Sequence, residues 1–526
     1  MRFSWMIPLV LLCVETVQSQ GQVSEVEAPR HIVSGTVVDS VTGVPIPRAL
    51  VKLEAQPGRY VLTDANGTFR FEGVAEGLLH MEAEKPGFFS SGEAFSDASS
   101  ASSFQISGDM NGVVLKLIPE ARLSGHVRSI QGFPIEGFQI RVYRKNIVDG
   151  AVQWEDVVNV NTDHEGYFRI YSMPKESVIV SAGPEKWRLR PTGAKQVGYP
   201  LVFYPNAREF SAAGVLLVSP GEQIETDFSL DRQSLCELSG TVVGVPAAFD
   251  TKVELITQAG DPVPLGQPHP QQHEFFGYVT PGTYILRASA EINGKNLRAT
   301  LPLTITGNTT GIQVSLASQL AIPVTLRTES DGNNNGTIEP FTANVELIST
   351  TSSFAPVRLS AEQMRDRDES VMEVAGAEPG TYAVEIAPND SYVKTATSGS
   401  TDLLQNDLLI PEAGRVSPIE IVLRNDGGEV GGKVKLPDRM GAATVLLVPT
   451  SGSSRNIRTV AATREGNFLF EQVRPGTYLV LAFNRVDDLE YRNPDVLSKY
   501  VANAAQVAVS ARQHITASLD SIELGN

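Results

Sequence analysis

The chain has 526 residues, of which 60 are acidic and 43 basic, and its formal net charge is −17. Because nucleic acids and anionic membrane surfaces are bound through basic patches, this balance argues against both as main partners. The length predicts several domains rather than one core, and the 45 glycines and 32 prolines favour many short strands joined by tight turns.

Residues 1–19 have the pattern of a secretory signal peptide. Arg2 supplies the positive start, residues 5–14 form a short apolar run, and residues 17–19 resemble a cleavage site. Cleavage near residue 19 is predicted. Lipidation of Cys13 is the alternative, although the two leucines before it fit a lipoprotein site poorly. We therefore expect an exported protein, located in the periplasm, on the outer surface or in the medium.

The mature chain is predicted to have neither a membrane span nor a disulfide. No stretch after residue 19 approaches the ~20 consecutive apolar residues of a transmembrane helix. Cys236 is the only cysteine left after cleavage, which excludes an intrachain disulfide even though export would permit one. We expect Cys236 to be a small buried filler.

The first predicted unit, residues 30–118, shows the alternation of half-buried strands. Every second side chain in residues 49–55 is apolar, which is the period of a strand with one face in the core. Residues 63–68, Thr-Asp-Ala-Asn-Gly-Thr, predict a hairpin turn. Phe69 and Phe71 follow on the predicted inner face.

Two phrases recur along the chain at similar spacing. The hairpin turn returns in the second unit, where Gly166 lies 99 residues after Gly67. The phrase Pro-Gly-Thr-Tyr returns at spacings of 98 and 96 residues, at 281–284, 379–382 and 475–478. We predict that each copy is a type II turn, with its glycine at positive φ, that starts a strand. A signal that repeats every ~100 residues predicts tandem β-sandwich domains.

The predicted fold class is all-β, a tandem array of about five Ig-like or transthyretin-like β-sandwich domains. Each unit supplies roughly seven short strands, which is typical of a sandwich. Helix is predicted only as single turns at residues 361–365 and 494–500. The predicted domains, which follow the signal peptide, are residues 30–118, 122–231, 235–317, 319–425 and 428–524.

Three phrases near the N-terminus resemble carboxypeptidase regulatory-like domains. They are Ser-Gly-Thr-Val at residues 34–37, Gly-Val-Pro-Ile at 43–46, and the turn with its phenylalanine at 63–69. The resemblance is good for the first, second and fifth units and rests mainly on Pro-Gly-Thr-Tyr in the third and fourth. It implies transthyretin-like (prealbumin-like) sandwiches, often grouped with a carbohydrate-binding-like fold. With the phrase at residues 203–206, the chain also resembles multi-domain envelope proteins of Gram-negative bacteria.

The name of this family invites an enzyme hypothesis, which the histidines do not support. Zinc carboxypeptidases use a His-x-x-Glu pair and a distant histidine, and none of the seven histidines here has a glutamate three residues later. The sequence also contains no His-Glu-x-x-His or Gly-x-Ser-x-Gly motif and no phosphate-cradling glycine-rich loop. The resemblance therefore implies an accessory domain, and we predict that the protein is not an enzyme and has no catalytic residues.

A calcium loop is one candidate ligand site. Asp331, Asn333 and Asn335 place oxygen atoms at the first, third and fifth positions, a glycine follows, and Glu339 adds a carboxylate. The twelfth position, where such loops need a bidentate glutamate, is Thr342. The alternative is a polar hairpin tip rich in turn formers. Apart from this calcium ion, no cofactor is predicted.

An aromatic loop in the second unit is the other candidate site. Trp187, Tyr199 and Tyr204 fall in one long segment that also holds several basic residues. Exposed flat rings can stack on sugar faces, while rings beside prolines can instead cap the edge of a sandwich. Both alternatives stay open at this point.

The predicted function is that of a non-catalytic, exported, multi-domain binding protein. The fold resemblance suggests a carbohydrate or a cell-envelope glycan as the ligand, which is an analogy and not a motif-level inference. The alternative is a passive scaffold or a protein-protein interaction module of the cell envelope, whose partner would be an envelope protein. An accessory subunit of an enzyme is the less favoured third hypothesis.

Overall fold

The computed structural model describes fourteen stretches of the chain. Strands dominate them, so the all-β prediction is confirmed. The predicted signal peptide, Trp187 and the predicted calcium ligands Asp331, Asn333, Asn335 and Glu339 lie outside these stretches. The described residues are 30–53, 59–89, 102–184, 197–257, 262–263, 265–267, 273–293, 295–318, 320–329, 342–350, 357–363, 371–411, 415–436 and 443–524.

The chain divides into two compact units, Met1–Pro119 and Glu120–Asn526. The finer division into five domains stays a prediction. The strands nevertheless fall into five groups in chain order, and these groups are called the first to fifth sandwich below.

The first sandwich has two four-stranded sheets, in the orders β4-β1-β8-β6 and β3-β2-β5-β7. Its strands are β1 (Arg30–Asp39), β2 (Leu50–Leu53), β3 (Tyr60–Leu62), β4 (Thr68–Ala75), β5 (Gly77–Glu84), β6 (Phe88–Phe89), β7 (Ser102–Ile106) and β8 (Met110–Pro119). Phe69 and Phe71 are buried in the core between the sheets, as their alternation with polar residues predicts.

The second sandwich positions the candidate site described below. One sheet has the order β11-β10-β13-β15 with β16 also on β13, and the other has the order β12-β9-β17 with β18 also on β9. A small pair joins β14 to β19. The strands are β9 (Ala121–Ser129), β10 (Phe138–Val148), β11 (Ala151–Asn161), β12 (Tyr167–Met173), β13 (Glu176–Pro184), β14 (Val197–Gly198), β15 (Val202–Phe203), β16 (Leu216–Val218), β17 (Gln223–Glu225), β18 (Phe228–Leu230) and β19 (Gln233–Ser234).

The third sandwich has the sheets β23-β20-β26 and β22-β21-β24-β25-β27. Cys236 begins β20 and is buried in its core, as expected for a filler. The strands are β20 (Cys236–Val243), β21 (Thr251–Thr257), β22 (Pro262–Val263), β23 (Glu274–Val279), β24 (Gly282–Ile292), β25 (Lys295–Ile305), β26 (Thr309–Ser315) and β27 (Ala317–Ser318).

The fourth sandwich is one continuous nine-stranded sheet, because β30 pairs with both β29 and β31. The strands are β28 (Leu320–Glu329), β29 (Ala343–Ser349), β30 (Arg358–Gln363), β31 (Val371–Ala377), β32 (Gly380–Pro388), β33 (Tyr392–Ser398), β34 (Thr401–Asp402), β35 (Leu408–Ile410) and β36 (Ile419–Arg424). The helical turn predicted at residues 361–365 is wrong, since this double pairing draws residues 358–363 into a strand.

The fifth sandwich has the sheets β40-β37-β43 and β39-β38-β41-β42. Its strands are β37 (Gly428–Lys435), β38 (Thr444–Pro449), β39 (Arg458–Ala461), β40 (Asn467–Val473), β41 (Gly476–Phe483), β42 (Ala505–Val509) and β43 (His514–Asp520). The helix α1 (Pro494–Ser498) confirms the second predicted turn. Short 3₁₀ turns occur at Phe210–Ala212, Ser454–Asn456 and Val501–Asn503.

A central strand with a glycine at a close approach recurs in four sandwiches. The strands β1, β9, β20 and β37 each pair antiparallel on one side and parallel on the other. A Cβ added at Gly35 would lie 2.1 Å from the Val113 carbonyl oxygen of the parallel neighbour, and one at Gly125 would lie 2.1 Å from that of Thr226. The glycine of the Ser-Gly-x-Val phrase is therefore required by packing of the parallel strand.

The Pro-Gly-Thr-Tyr phrase forms a corner of the chain that is stabilised by a hydrogen bond from its tyrosine. The hydroxyl of Tyr284 donates to the Thr280 carbonyl at 2.7 Å, and that of Tyr478 donates to the Arg474 carbonyl at 2.7 Å. Each tyrosine thus bonds the backbone four residues upstream, as in a tyrosine corner. The type II turn predicted here is wrong, because among the three glycines only Gly380 has positive φ, and its 150° is far from the required ~80°.

Polar contacts connect the second, fourth and fifth sandwiches within residues 120–526. The tip of the β10–β11 hairpin accepts a hydrogen bond at the Gly150 carbonyl from the Arg492 N–H, at 3.0 Å. Lys145 of the same hairpin forms an ion pair with Glu490. The Arg492 guanidinium also bonds Glu385 of β32 at 2.5 Å. The contacts of Lys145 and Gly150 join segments more than 300 residues apart in sequence, and the contact between Arg492 and Glu385 joins segments 107 residues apart.

Glu176, at the start of β13, predicts a dependence of stability on pH. Burial raises its pKa from 4.5 to about 7, against the opposing charge of Arg144, whose Nε lies 3.8 Å from Glu176 Oε2. Between these two pH values the folded protein holds a proton that the unfolded chain releases, so stability falls as the pH rises. Above about pH 7, the ionised Glu176 carboxylate lowers the free energy of unfolding because it is charged and buried. A glutamine at this position stays neutral and does not have this effect.

Glu176→Gln is therefore expected to stabilise the second sandwich at pH 8 by about 1–3 kcal/mol and to have little effect below pH 5. Urea unfolding followed by tryptophan fluorescence at both pH values measures the difference. Glu136→Gln, at an exposed position in the same sandwich, is the matched control. Equal effects of Glu176→Gln at both pH values would contradict the assignment.

Candidate binding face of the second sandwich

The outer face of the sheet formed by β12, β9, β17 and β18 is the candidate site. Successive residues of a strand point to opposite sides, and the inward set belongs to the core of the second sandwich. The outward set is aromatic and charged. It consists of Tyr167, Arg169 and Tyr171 on β12, Arg122, Ser124 and His126 on β9, and Gln223, Glu225 and Asp227 on or next to β17.

Two tyrosines on β12 hold an arginine between them. The Arg169 Nε donates to the Tyr167 hydroxyl at 2.7 Å, and Nη1 donates to the Tyr171 hydroxyl at 2.8 Å. The guanidinium carbon lies 5.2 Å and 5.6 Å from the two ring centroids. The hydrogen bonds to Tyr171 and Tyr167 raise the pKa of Arg169. Tyr171 is 58% exposed, so one ring is open to solvent while its hydroxyl is held in place.

A β-bulge sets the position of Tyr171. The pairing of β12 with β9 shifts register between Ile170 and Met173, and Ser172 has a φ of 57°. Such a bulge bends the strand and re-aims the neighbouring side chain. Positive φ also occurs at Gly73 and Gln472, which, like Ser172, lie six residues after the glycine of the hairpin turn. The bulge is therefore a repeated feature of the fold, and the tyrosine beside it is specific to the second sandwich.

His126 and two carboxylates lie next to the tyrosines. The rings of His126 and Tyr167 have centroids 5.1 Å apart. The Asp227 Oδ1 atom accepts a hydrogen bond from the His126 backbone N–H at 2.7 Å and lies 3.5 Å from the imidazole Nδ1. One ligand atom from each of His126, Glu225 and Asp227 lies within 4.8 Å of the others.

The face differs from the equivalent surfaces of two other sandwiches. The hairpin turns align Tyr167, Arg169 and Tyr171 with Thr68, Arg70 and Glu72 in the first sandwich and with Asn467, Leu469 and Glu471 in the fifth. Neither equivalent strip contains an aromatic ring. Core packing therefore does not require tyrosine at these outward positions.

The predicted aromatic residues Tyr199 and Tyr204 are half-buried against the core of the second sandwich. Tyr199 meets Phe138 edge-to-face at 6.1 Å, and its hydroxyl accepts a hydrogen bond from Arg232. Tyr204 meets Phe228 edge-to-face at 6.0 Å. These contacts favour packing for the two rings, and contact with a ligand stays a prediction for them.

Tyr167, Arg169 and Tyr171 were not predicted from the sequence, because this segment was noted there only as the second copy of the hairpin turn. A usable signal was present. Aligning the hairpin turns of the first, second and fifth units shows that aromatic rings occupy outward positions of this strand in the second unit alone.

Two clefts lie at the tyrosine corners within residues 120–526. One, of about 530 Å³, is lined by residues 280–284 of the third sandwich and by Phe203 and Phe210 of the second. The other, of about 630 Å³, is lined by residues 472–478 of the fifth sandwich and by Tyr392 of the fourth. Both clefts mark junctions between successive sandwiches, and the corner phrase contributes to each junction.

Comparison with known proteins identifies part of the first sandwich. Residues 32–101 match the family described as carboxypeptidase regulatory-like domain. The human protein cartilage intermediate layer protein 2 is 44% identical over 73 residues, which are 14% of this chain and 6% of that protein. The chain thus spans a small part of the length of this curated relative.

Several solved structures share a limited likeness. The TIE protein of Bacillus anthracis is 12% identical, covering 55% of this chain and 51% of that chain, with a TM-score of 0.18. The minor pilin GBS52 of Streptococcus agalactiae is 12% identical, covering 39% and 96%, with a TM-score of 0.20. The major pilin subunit of Bacillus cereus is 9% identical, covering 76% of this chain and 99% of that chain, with a TM-score of 0.14. At these scores the likeness carries no argument about function.

Within the described part of the chain, no helix has the length and apolar character to cross a bilayer. The phrases at residues 34–37, 43–46 and 63–69 lie within the matched segment. The resemblance inferred from them is confirmed there, because residues 32–101 match the carboxypeptidase regulatory-like domain family.

Proposed function

We propose that the chain is a non-catalytic binding protein that holds a glycan on the outer face of the second sandwich. The observation that carries the proposal is the pair of tyrosines fixed on either side of Arg169, with the Tyr171 ring exposed. Ordering these side chains before a ligand arrives lowers the entropy cost of binding. An open sheet face with a ring beside hydrogen-bonding groups suits an extended polymer better than an enclosed small molecule.

The mixture of charges on this face favours a ligand rich in hydroxyl groups. Arg169 and Arg122 can donate hydrogen bonds, and Glu225 and Asp227 can accept them. A sugar hydroxyl both donates and accepts, while the apolar side of the sugar ring can lie on a tyrosine. The two arginines and the two carboxylates balance in charge, so the face suits a neutral glycan better than a polyanion.

The absence of catalysis and the exported location are parts of the same proposal. The matched family segment is a regulatory-like domain, and the candidate site is an open sheet face rather than an enclosed cleft. The sequence pattern of residues 1–19 supports export. A bacterial cell envelope as the setting, and a calcium ion bound by Asp331, Asn333, Asn335 and Glu339, remain proposals from sequence.

A scaffold or protein-interaction role is the second candidate, and specific contacts favour it. Lys145 with Glu490, and Arg492 with Glu385, connect the second, fourth and fifth sandwiches. Contacts that join distant parts of the chain hold the sandwiches at fixed positions. A scaffold needs such fixed positions to keep its partners at set distances. A scaffold predicts that a folded wild-type chain is retained on no polysaccharide.

The test is sedimentation of the mature chain with insoluble chitin, cellulose and peptidoglycan. We expect the wild type to be retained on at least one polymer. Tyr171→Ala should weaken retention about five-fold or more, because removing an anchoring tyrosine typically costs more than about 1 kcal/mol of binding free energy. Tyr60→Ala, which removes a 68% exposed tyrosine from the first sandwich, is the control and should bind as the wild type does. Full retention of Tyr171→Ala would contradict the proposed site.

A further inference from the structure

We propose that His126, Glu225 and Asp227 form a binding site for a divalent transition-metal ion, with Zn²⁺ as the best fit. One ligand atom from each side chain lies within 4.8 Å of the other two. An ion with ligand distances of about 2.1 Å in a tetrahedron holds its ligand atoms about 3.4 Å apart. Small rotations of two exposed carboxylates are enough to close that difference.

The backbone brings the three side chains together by parallel pairing. In the register of β17 and β18 with β9, Glu225 lies opposite Ser124, and the same register places Asp227 opposite His126. Glu225 and Asp227 are alternate residues, so both point outward while Thr226 between them is buried. Two paired strands about 4.8 Å apart therefore present all three ligands from a fixed frame.

The donor set determines the kind of ion. One imidazole nitrogen with two carboxylates is suited to zinc and similar first-row ions, whereas magnesium and calcium prefer oxygen ligands alone. The two carboxylates bring two negative charges, which match a divalent cation. Because the site is on the surface, a fourth position would remain for water or a ligand, as in zinc sites that are not purely structural.

Neighbouring groups hold two of the ligands in place. The Asp227 Oδ1 atom accepts the His126 backbone N–H at 2.7 Å, which orients the carboxylate and leaves its other oxygen available. The Tyr167 ring lies against one side of the imidazole, with centroids 5.1 Å apart. Partners of this kind orient metal ligands and are commonly worth a factor of ten or more in affinity.

The fold does not need these residues, as three other sandwiches show. In the first, third and fifth sandwiches, the central strand also pairs with a parallel neighbour. That pairing identifies the residues equivalent to the three proposed ligands. In place of His126, Glu225 and Asp227 they carry Thr36, Gly112 and Val114 in the first sandwich, Thr241, Gly311 and Gln313 in the third, and Lys433, Thr516 and Ser518 in the fifth. A purely structural role would not explain three ligating residues in one sandwich.

Other histidines lie near carboxylates without forming a group of three close ligand atoms, and they provide controls. His514 Nδ1 lies 2.9 Å from Glu429 Oε2, which is a simple pair. His31 approaches Glu76 with Nε2 and Asp109 with Nδ1, so its two carboxylates lie at different ring nitrogens. Over the ranges that the structure describes, His126, Glu225 and Asp227 are the one group of three potential ligands this close together.

The experiment is calorimetric titration of the mature chain, without a histidine tag, with ZnCl₂. We expect about one Zn²⁺ per chain at this site. His126→Ala and Glu225→Gln should each weaken binding by ten-fold or more, and His514→Ala should leave it unchanged. Glu225→Gln keeps the side-chain volume, so its loss of binding cannot be attributed to misfolding, and tryptophan fluorescence checks the fold of each variant.

Two results would overturn the proposal. One is a wild-type chain that gives no binding heat, and the other is equal affinity in the wild type and both site variants. The titration contains no polysaccharide, so its failure is separate from failure of the proposed glycan function.

Discussion

Gly125→Ala is expected to destabilise the second sandwich by about 3 kcal/mol or more, at the upper end of the cost of overpacking. The added Cβ would lie 2.1 Å from the Thr226 carbonyl oxygen and 2.6 Å from its carbon. These are backbone atoms of the parallel neighbour, and the Thr226 N–H is itself bonded to the Ser124 carbonyl at 2.8 Å. The neighbour cannot move away without breaking this pairing.

Tryptophan fluorescence during urea unfolding measures this effect locally. Of the three tryptophans, Trp154 and Trp187 belong to the sequence of the second sandwich, and Trp5 lies in the predicted signal peptide. The control is Gly307→Ala, where an added Cβ meets nothing within 4 Å and φ is not in the left-handed region. It should change stability by less than about 0.5 kcal/mol. Unfolding of Gly125→Ala at the wild-type urea concentration would show that the close approach is not limiting.

Asp426→Ala is expected to cost about 3 kcal/mol, because it removes the nearer carboxylate of the partly buried Arg424 and leaves Glu329, 4.0 Å from Nη1, as a more distant opposite charge. Asp426 lies in the linker between the fourth and fifth sandwiches and is 5% exposed. It accepts hydrogen bonds from the Arg424 Nε at 2.9 Å and from the Tyr392 hydroxyl at 3.0 Å. Its own backbone carbonyl accepts the Arg512 N–H of the fifth sandwich at 3.0 Å.

The pKa of Asp426 determines how the destabilisation by Asp426→Ala depends on pH. Burial alone would raise its pKa, but the hydrogen bonds from Tyr392 and Arg424 and the arginine charge outweigh it, so the pKa lies below the ordinary 3.8. Burial and the same carboxylate raise the pKa of Tyr392 to about 12. A lowered aspartate pKa contributes stability above pH 3.8 that is lost as the pH falls through the folded value.

Calorimetric unfolding, together with trypsin cleavage after Arg424, tests the role of this linker. Asp426→Ala should unfold at lower temperature at pH 7 and be cut faster in the linker, and its difference from the wild type should shrink towards pH 3. Asp487→Ala, which changes an exposed aspartate of the fifth sandwich, should behave as the wild type does. A linker equally resistant in both variants would mean that Asp426 does not fasten the junction.

The fold class could be predicted from the sequence because its determinants are local. The alternation around Phe69 and Phe71 fixes which side of the strand is buried, and the turn at residues 63–68 fixes where it begins. The return of these signals every ~100 residues gives the tandem arrangement. The same local patterns could not show that a tyrosine hydroxyl, bonded four residues upstream, fastens each Pro-Gly-Thr-Tyr corner.

The candidate face could not be predicted, because it depends on pairing between distant residues. His126 meets Asp227 through a parallel register between strands about 100 residues apart in sequence. The bulge at Ser172 orients Tyr171 outward. Ser172 is a non-glycine residue with positive φ, and no turn motif in the sequence predicts this conformation. Sequence reasoning looked instead for clustered aromatic residues and therefore selected Trp187, Tyr199 and Tyr204.

The glycan site proposed for this protein is the outer face of the second sandwich. The most direct measurement compares retention of Tyr171→Ala and Trp187→Ala on the polysaccharide that retains the wild type. We expect loss of retention for Tyr171→Ala and wild-type retention for Trp187→Ala. Loss for Trp187→Ala with full retention of Tyr171→Ala would contradict it, and so would a folded wild-type chain that no polysaccharide retains.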